Sequence, residues 1–82
     1  MNKSYILYNL KEAYAQISET IAEFESNSDY GFPEFKVEME HIYHHLNTAW
    51  NAQNSTEQES NECSEENFQL WRRFPGNDWF NL

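Results

Sequence analysis

Three histidines fall within five residues, at His41, His44 and His45, and Glu38 stands just ahead of them. On a helix, His41 and His45 lie one turn apart, a spacing at which two imidazoles can hold one metal ion. Glu38 and His41 also form a Glu-x-x-His pair. In bundled carboxylate proteins such pairs point inward and bind two iron or manganese ions. A divalent transition metal held by Glu38, His41 and His45 is therefore one reading of this segment. Only one such pair is present, and Met39 and Ile42 sit where a helix seam would run. That placement leaves Glu38 and His45 flanking the seam and His41 farther out. Polar residues beside a helix–helix interface, with no cofactor, are the preferred reading.

Nucleophilic chemistry finds less support. Cys63 lies in Glu62-Cys63-Ser64-Glu65-Glu66, where negative neighbours disfavour the thiolate. Two glycines in the whole chain leave no room for a phosphate loop, a dinucleotide fingerprint or a nucleophile elbow. No catalytic residue is assigned, and the expected activity is non-enzymatic.

The chain carries 14 Asp and Glu against 5 Lys and Arg, a formal net charge of −9. Eight of those carboxylates lie in residues 1–55 and six in 56–82, so the acidity is spread along the chain. A charge of this sign disfavours direct binding to a phosphate backbone. It suits a solvated outer face. A sharper alternative is an acidic nucleic-acid mimic that occupies the basic cleft of a nucleic-acid-handling enzyme.

Aromatic residues make up 17% of the chain, enough to build a core where aliphatics are few. Phe68, Trp71, Phe74, Trp79 and Phe80 place five large rings in 13 residues, next to Arg72 and Arg73. Trp and Arg are enriched at interface hot spots, so Trp71, Arg72, Arg73, Phe74, Trp79 and Phe80 form the candidate partner-binding segment. The competing and simpler role for the same rings is to cover the open face of a helical hairpin.

These residues must be positioned by helices. Leu7, Leu10, Tyr14, Ile17, Ile21 and Phe24 recur at intervals of 3, 4, 3, 4 and 3, the seam of a helix packed on another helix. A helix over about 5–25 follows, with Ser4 as its N-cap. Residues 26–33 break the pattern with Ser, Asn, Asp, Gly and Pro. Phe35, Met39, Ile42, Leu46 and Ala49 then repeat the spacing, with Trp50 beside them, predicting a second helix over about 34–53. A polar linker occupies about 54–63, with a turn suggested by Ser55 and Gln58 in capping-box spacing. Ser64, followed by Glu65 and Glu66, starts a short helix over about 65–74, whose last turn places Arg72 and Arg73 near the dipole's negative end.

The expected architecture is all-α: a single domain of 82 residues built on an antiparallel helical hairpin, with a short C-terminal helix and aromatic tail folded back on it. The spacing predicts that both seams face each other inside a small bundle, and a homodimer would join two hairpins into a four-helix core. No apolar run is long enough to span a bilayer. The lone cysteine fits a reducing compartment, so the expected location is cytoplasmic. The leading functional reading is an interaction or regulatory module that works through this dimer and its aromatic C-terminal segment.

Overall fold

A computed structural model describes residues 1–76 of the chain. Four helices follow one another: α1 Lys3–Ser26, α2 Phe32–Asn51, α3 Glu57–Glu62 and α4 Glu65–Trp71. The two long helices form the expected antiparallel hairpin, and α4 packs against α2. Among the described residues no helix is long and apolar enough to cross a membrane.

The capping residue of α1 is Asn2, not Ser4. Asn2 Oδ1 accepts from the Tyr5 backbone N–H at 3.2 Å and also from the Ser4 hydroxyl. The Asn2 backbone N–H donates to Gln53 O at 2.7 Å, and its Nδ2 donates to Ser55 O at 3.1 Å. One side chain therefore caps the first helix and ties the N-terminus to the turn after the second. Ser4 lies inside the first turn, and its hydroxyl is spent as a donor to Asn2 Oδ1.

Gly31 caps α2, and Pro33 sits in its first turn, where a missing N–H removes no helical bond. Glu34 accepts from the Gly31 N–H at 3.0 Å and lies where the helix dipole favours a carboxylate. The connecting loop is closed by rings. Phe24 packs on Tyr30 at 4.6 Å and on Phe35 at 5.5 Å between centroids.

Residues 54–63 are not a plain linker. Thr56 and Glu59 make a reciprocal capping box: the Glu59 N–H donates to Thr56 Oγ1, and the Thr56 N–H donates to Glu59 Oε1. The cap lies one residue beyond the Ser55 and Gln58 pairing expected from spacing, because Glu accepts the backbone N–H more strongly than Gln does. Cys63 ends this helix in the left-handed conformation, at φ 43°. Ser64 then caps α4 by accepting from the Asn67 N–H. The chain thus turns sharply between two short helices.

Helix α4 stops at Trp71 rather than 74, and arginines do not neutralise its carbonyl end. Asn47 Nδ2 donates to Arg72 O at 3.0 Å, while Asn51 Nδ2 donates to Trp71 O at 2.8 Å and to Arg73 O at 2.6 Å. Two amides from α2 supply the partners that the final carbonyls need. Arg72 instead lies over the Phe68 ring, 5.4 Å from its centroid.

The largest departure from expectation concerns which face of α1 points inward. Ala13, Ile42, Ala49, Ala52 and Trp71 are the buried apolar residues, and Asn9, Thr20, His45, Asn47 and Thr48 are buried beside them. Along α1 the inward line is Asn9, Ala13, Gln16 and Thr20, with Gln16 half-buried. This line runs one residue behind the expected seam and is rotated from it by about 100°. The apolar seam itself is open: Tyr14 is 75% exposed, Phe24 58% and Ile17 40%. On α2, Ile42 and Ala49 are buried as expected, Phe35 and Met39 are half-buried, and Leu46 stays open. Small residues on the inward line of α1 let the two backbones approach; Asn9 and Gln16 bond across to α2, and Thr20 bonds back to Gln16 within α1.

Thr48 Oγ1 is buried without a hydrogen-bond partner among the described residues. An unsatisfied hydroxyl costs free energy that an isosteric methyl does not. Thr48→Val is therefore expected to stabilise the fold by about 1 kcal/mol in urea denaturation. A loss of stability would show that the hydroxyl has a partner.

Candidate functional site

The chemistry-bearing residues converge on the α1–α2 interface as a chain of close polar contacts. Asn9 Nδ2 donates to Tyr5 O at 3.0 Å, which turns Asn9 Oδ1 toward His45 Nδ1 at 2.8 Å. His45 Nε2 lies 3.0 Å from His41 Nε2, and His41 Nδ1 lies 2.7 Å from Gln16 Oε1. Gln16 Nε2 donates to Thr20 Oγ1 at 3.3 Å, and the Thr20 hydroxyl donates to Gln16 O at 2.8 Å. The chain therefore runs Tyr5–Asn9–His45–His41–Gln16–Thr20, passing from α1 to α2 and back.

Helical spacing builds it. Asn9 and Gln16 are seven residues apart, two turns of α1, and meet His45 and His41, one turn apart on α2. Asn9 is 2% exposed and His45 is also buried, whereas His41 is exposed at the rim. Rings enclose the inner end: Tyr8 and His44 lie edge-on to His45, at 6.4 and 5.0 Å between centroids. His44 in turn packs on Phe68 of α4 at 5.1 Å.

Electrostatics favour neutral imidazoles at His44 and His45. Burial pushes the His45 pKa down, the neighbouring His44 and His41 push it further, and Glu12 pulls the other way. Burial also lowers His44, helped by His41 and Arg72. Removing a charged imidazole from water is the leading cause in both cases.

Of the three metal ligands suggested by the sequence, His41 and His45 come together. Glu38 is engaged elsewhere, its carboxylate accepting from the Tyr30 hydroxyl in the loop before α2. Burial and the Glu38 contact push the Tyr30 hydroxyl up to about 12. Among the described residues no group of three or more His, Cys, Asp and Glu is arranged to hold a metal ion. The polar residues Asn9 and Gln16, which position both imidazoles, were missed by the sequence reading. Their seven-residue separation, facing two histidines four apart, was the signal available.

The aromatic candidates divide. Trp71 is buried, with its ring edge-on to Tyr5 at 5.8 Å. Phe74 stays largely exposed and packs on Tyr43 at 5.2 Å. Arg73 lends its carbonyl to Asn51. Trp79 and Phe80 lie outside the described residues.

A second feature is apolar. On one side of the hairpin a groove of about 390 Å³ runs between Ile17, Ile21 and Phe24 of α1 and Met39, Tyr43 and Leu46 of α2. Toward the chain's N-terminus it continues into a cavity of about 480 Å³ beside Ile6, Leu10, Leu46, Trp50 and Phe74. No protein-family model matches the sequence, and no curated protein or solved structure matches it either.

Proposed function

We propose that this protein is a non-enzymatic interaction module whose working unit is a homodimer, two hairpins joined through the open apolar face into a four-helix bundle. The observation that carries this reading is the exposed seam of α1. Six large apolar residues keep the 3-4 spacing that suits a facing helix, yet α2 packs mainly against a different face and meets this seam at Phe24. Met39, Tyr43 and Leu46 extend the same surface onto α2.

A second copy fits this surface better than an unrelated partner does. The seam is near-symmetric about its middle, so an antiparallel pair of α1 helices brings Tyr14 and Ile17 together at the centre and Leu7 against Phe24 at the ends. That is the self-complementary arrangement a two-fold interface requires. Covering nine such side chains, on the order of 90 Å² apiece, comes to the roughly 800 Å² per partner of a standard stable interface. Phe74 and Pro75 border the same face and are suited to contact a further protein partner. The free, exposed thiol of Cys63 fits a cytoplasmic setting.

Tyr14→Glu and Ile21→Glu test the reading without touching the buried line of α1. Each is expected to shift the protein to the monomer in size-exclusion chromatography with light scattering, with helical circular dichroism unchanged. Unchanged mass in both variants contradicts the proposed interface.

A further inference from the structure

We propose that His41 and His45 form a two-histidine site for a late first-row divalent metal ion of the Cu²⁺, Ni²⁺ or Zn²⁺ class. The argument starts from the protons of the hydrogen-bonded chain. Asn9 presents its oxygen to His45 Nδ1 because its amide nitrogen is committed to Tyr5 O. Gln16 presents its oxygen to His41 Nδ1 because its nitrogen faces Thr20 Oγ1, whose own proton goes to Gln16 O. Both Nδ1 atoms must therefore carry hydrogen. In neutral imidazoles both Nε2 atoms then carry lone pairs, and these face each other at 3.0 Å.

Two lone pairs at that separation repel unless a cation lies between them. A single proton can serve, leaving one imidazolium. A metal ion serves as well, and it leaves both Nδ1–H···O contacts in place. Ions bound by imidazole sit about 2.0–2.1 Å from nitrogen, so a 3.0 Å gap corresponds to a ligand–metal–ligand angle of roughly 95°. The ring centroids are 4.8 Å apart with planes inclined at 60°. This is closer than two rings pointing end to end across the gap, and it matches rings angled toward one ion between them.

The remaining features match what metal-binding imidazoles need. Each donates its other N–H to an amide oxygen, the outer contact that fixes tautomer and raises ligand basicity. His45 is held rigidly in the interior while His41 stands at the exposed rim, which leaves an entry path and open coordination positions for water. Imidazole donors select copper, nickel and zinc over magnesium and calcium.

The test is calorimetric titration of untagged full-length protein with Cu²⁺, Ni²⁺ and Zn²⁺, paired with NMR of the imidazole nitrogens. One ion per chain is expected, with the Nε2 resonances of His41 and His45 shifting and both Nδ1–H signals retained. His41→Ala lies at the exposed rim and should keep helicity while losing saturable binding. Gln16→Ala should weaken binding about tenfold by releasing His41. Glu38→Gln and His44→Gln should bind as wild type does. Absence of saturable uptake overturns the proposal. So does uptake that survives His41→Ala, or uptake that Glu38→Gln weakens equally.

Discussion

Trp71→Ala is expected to cost about 3–5 kcal/mol of folding free energy, the usual range for deleting a buried indole. A chain of this size has roughly 4–12 kcal/mol in total at typical per-residue stability. The change therefore removes a large share of it. Trp71 sits where three helices meet: its ring lies edge-on to Tyr5 of α1, and its carbonyl accepts from Asn51 of α2. Chemical denaturation followed by circular dichroism should show a large drop in the urea midpoint. Arg73→Ala, which leaves the carbonyl bonded to Asn51 in place, should change stability by less than about 0.5 kcal/mol. A loss below about 1 kcal/mol for Trp71→Ala would show that α4 is not part of the cooperative core.

Asn9→Leu should produce the next largest loss, about 1–3 kcal/mol, although it exchanges a polar residue for an apolar one of similar size. The buried His45 Nδ1–H would lose its acceptor, and a buried donor without a partner carries its full desolvation penalty. Replacing both partners avoids that penalty. The double variant Asn9→Leu/His45→Leu should recover most of the loss, a coupling that a double-mutant cycle measures directly. If the two single effects simply add, the Asn9–His45 bond contributes nothing specific.

These two residues also show what the sequence made legible. The 3-4 recurrence of apolar residues locates both long helices to within about two residues, and Ser64 marks the start of α4 correctly. Periodicity reports that α1 has an apolar stripe; it does not say whether that stripe faces α2 or a neighbour. Here the hairpin closes on Asn9, Ala13, Gln16 and Thr20, residues whose polarity or small size argues for the outside when each is judged alone. Their burial depends on partners 36 and 25 residues away, His45 and His41, and pairing over such distances is invisible to local spacing. The same limit explains the site. Both histidines that come together were recognisable from their one-turn spacing, but Glu38 is withdrawn by Tyr30, whose approach depends on the fold of the preceding loop. At the ends of α1 and α3, caps were placed one or two residues away because neighbouring Ser, Thr and Asn all satisfy the same local rule.

The exposed seam connects the fold to the proposed role. Its six residues would be costly to leave in water at high concentration, since apolar patches of several hundred Å² on a soluble chain usually mark a contact surface. In the proposed dimer, burial of that surface between two copies would add to the small interior that so short a chain builds alone.

Sedimentation equilibrium of the untagged chain addresses this claim most directly. The account predicts a mass twice that of the 9.9 kDa chain, with dissociation on dilution. A single species at 9.9 kDa at every concentration would contradict it.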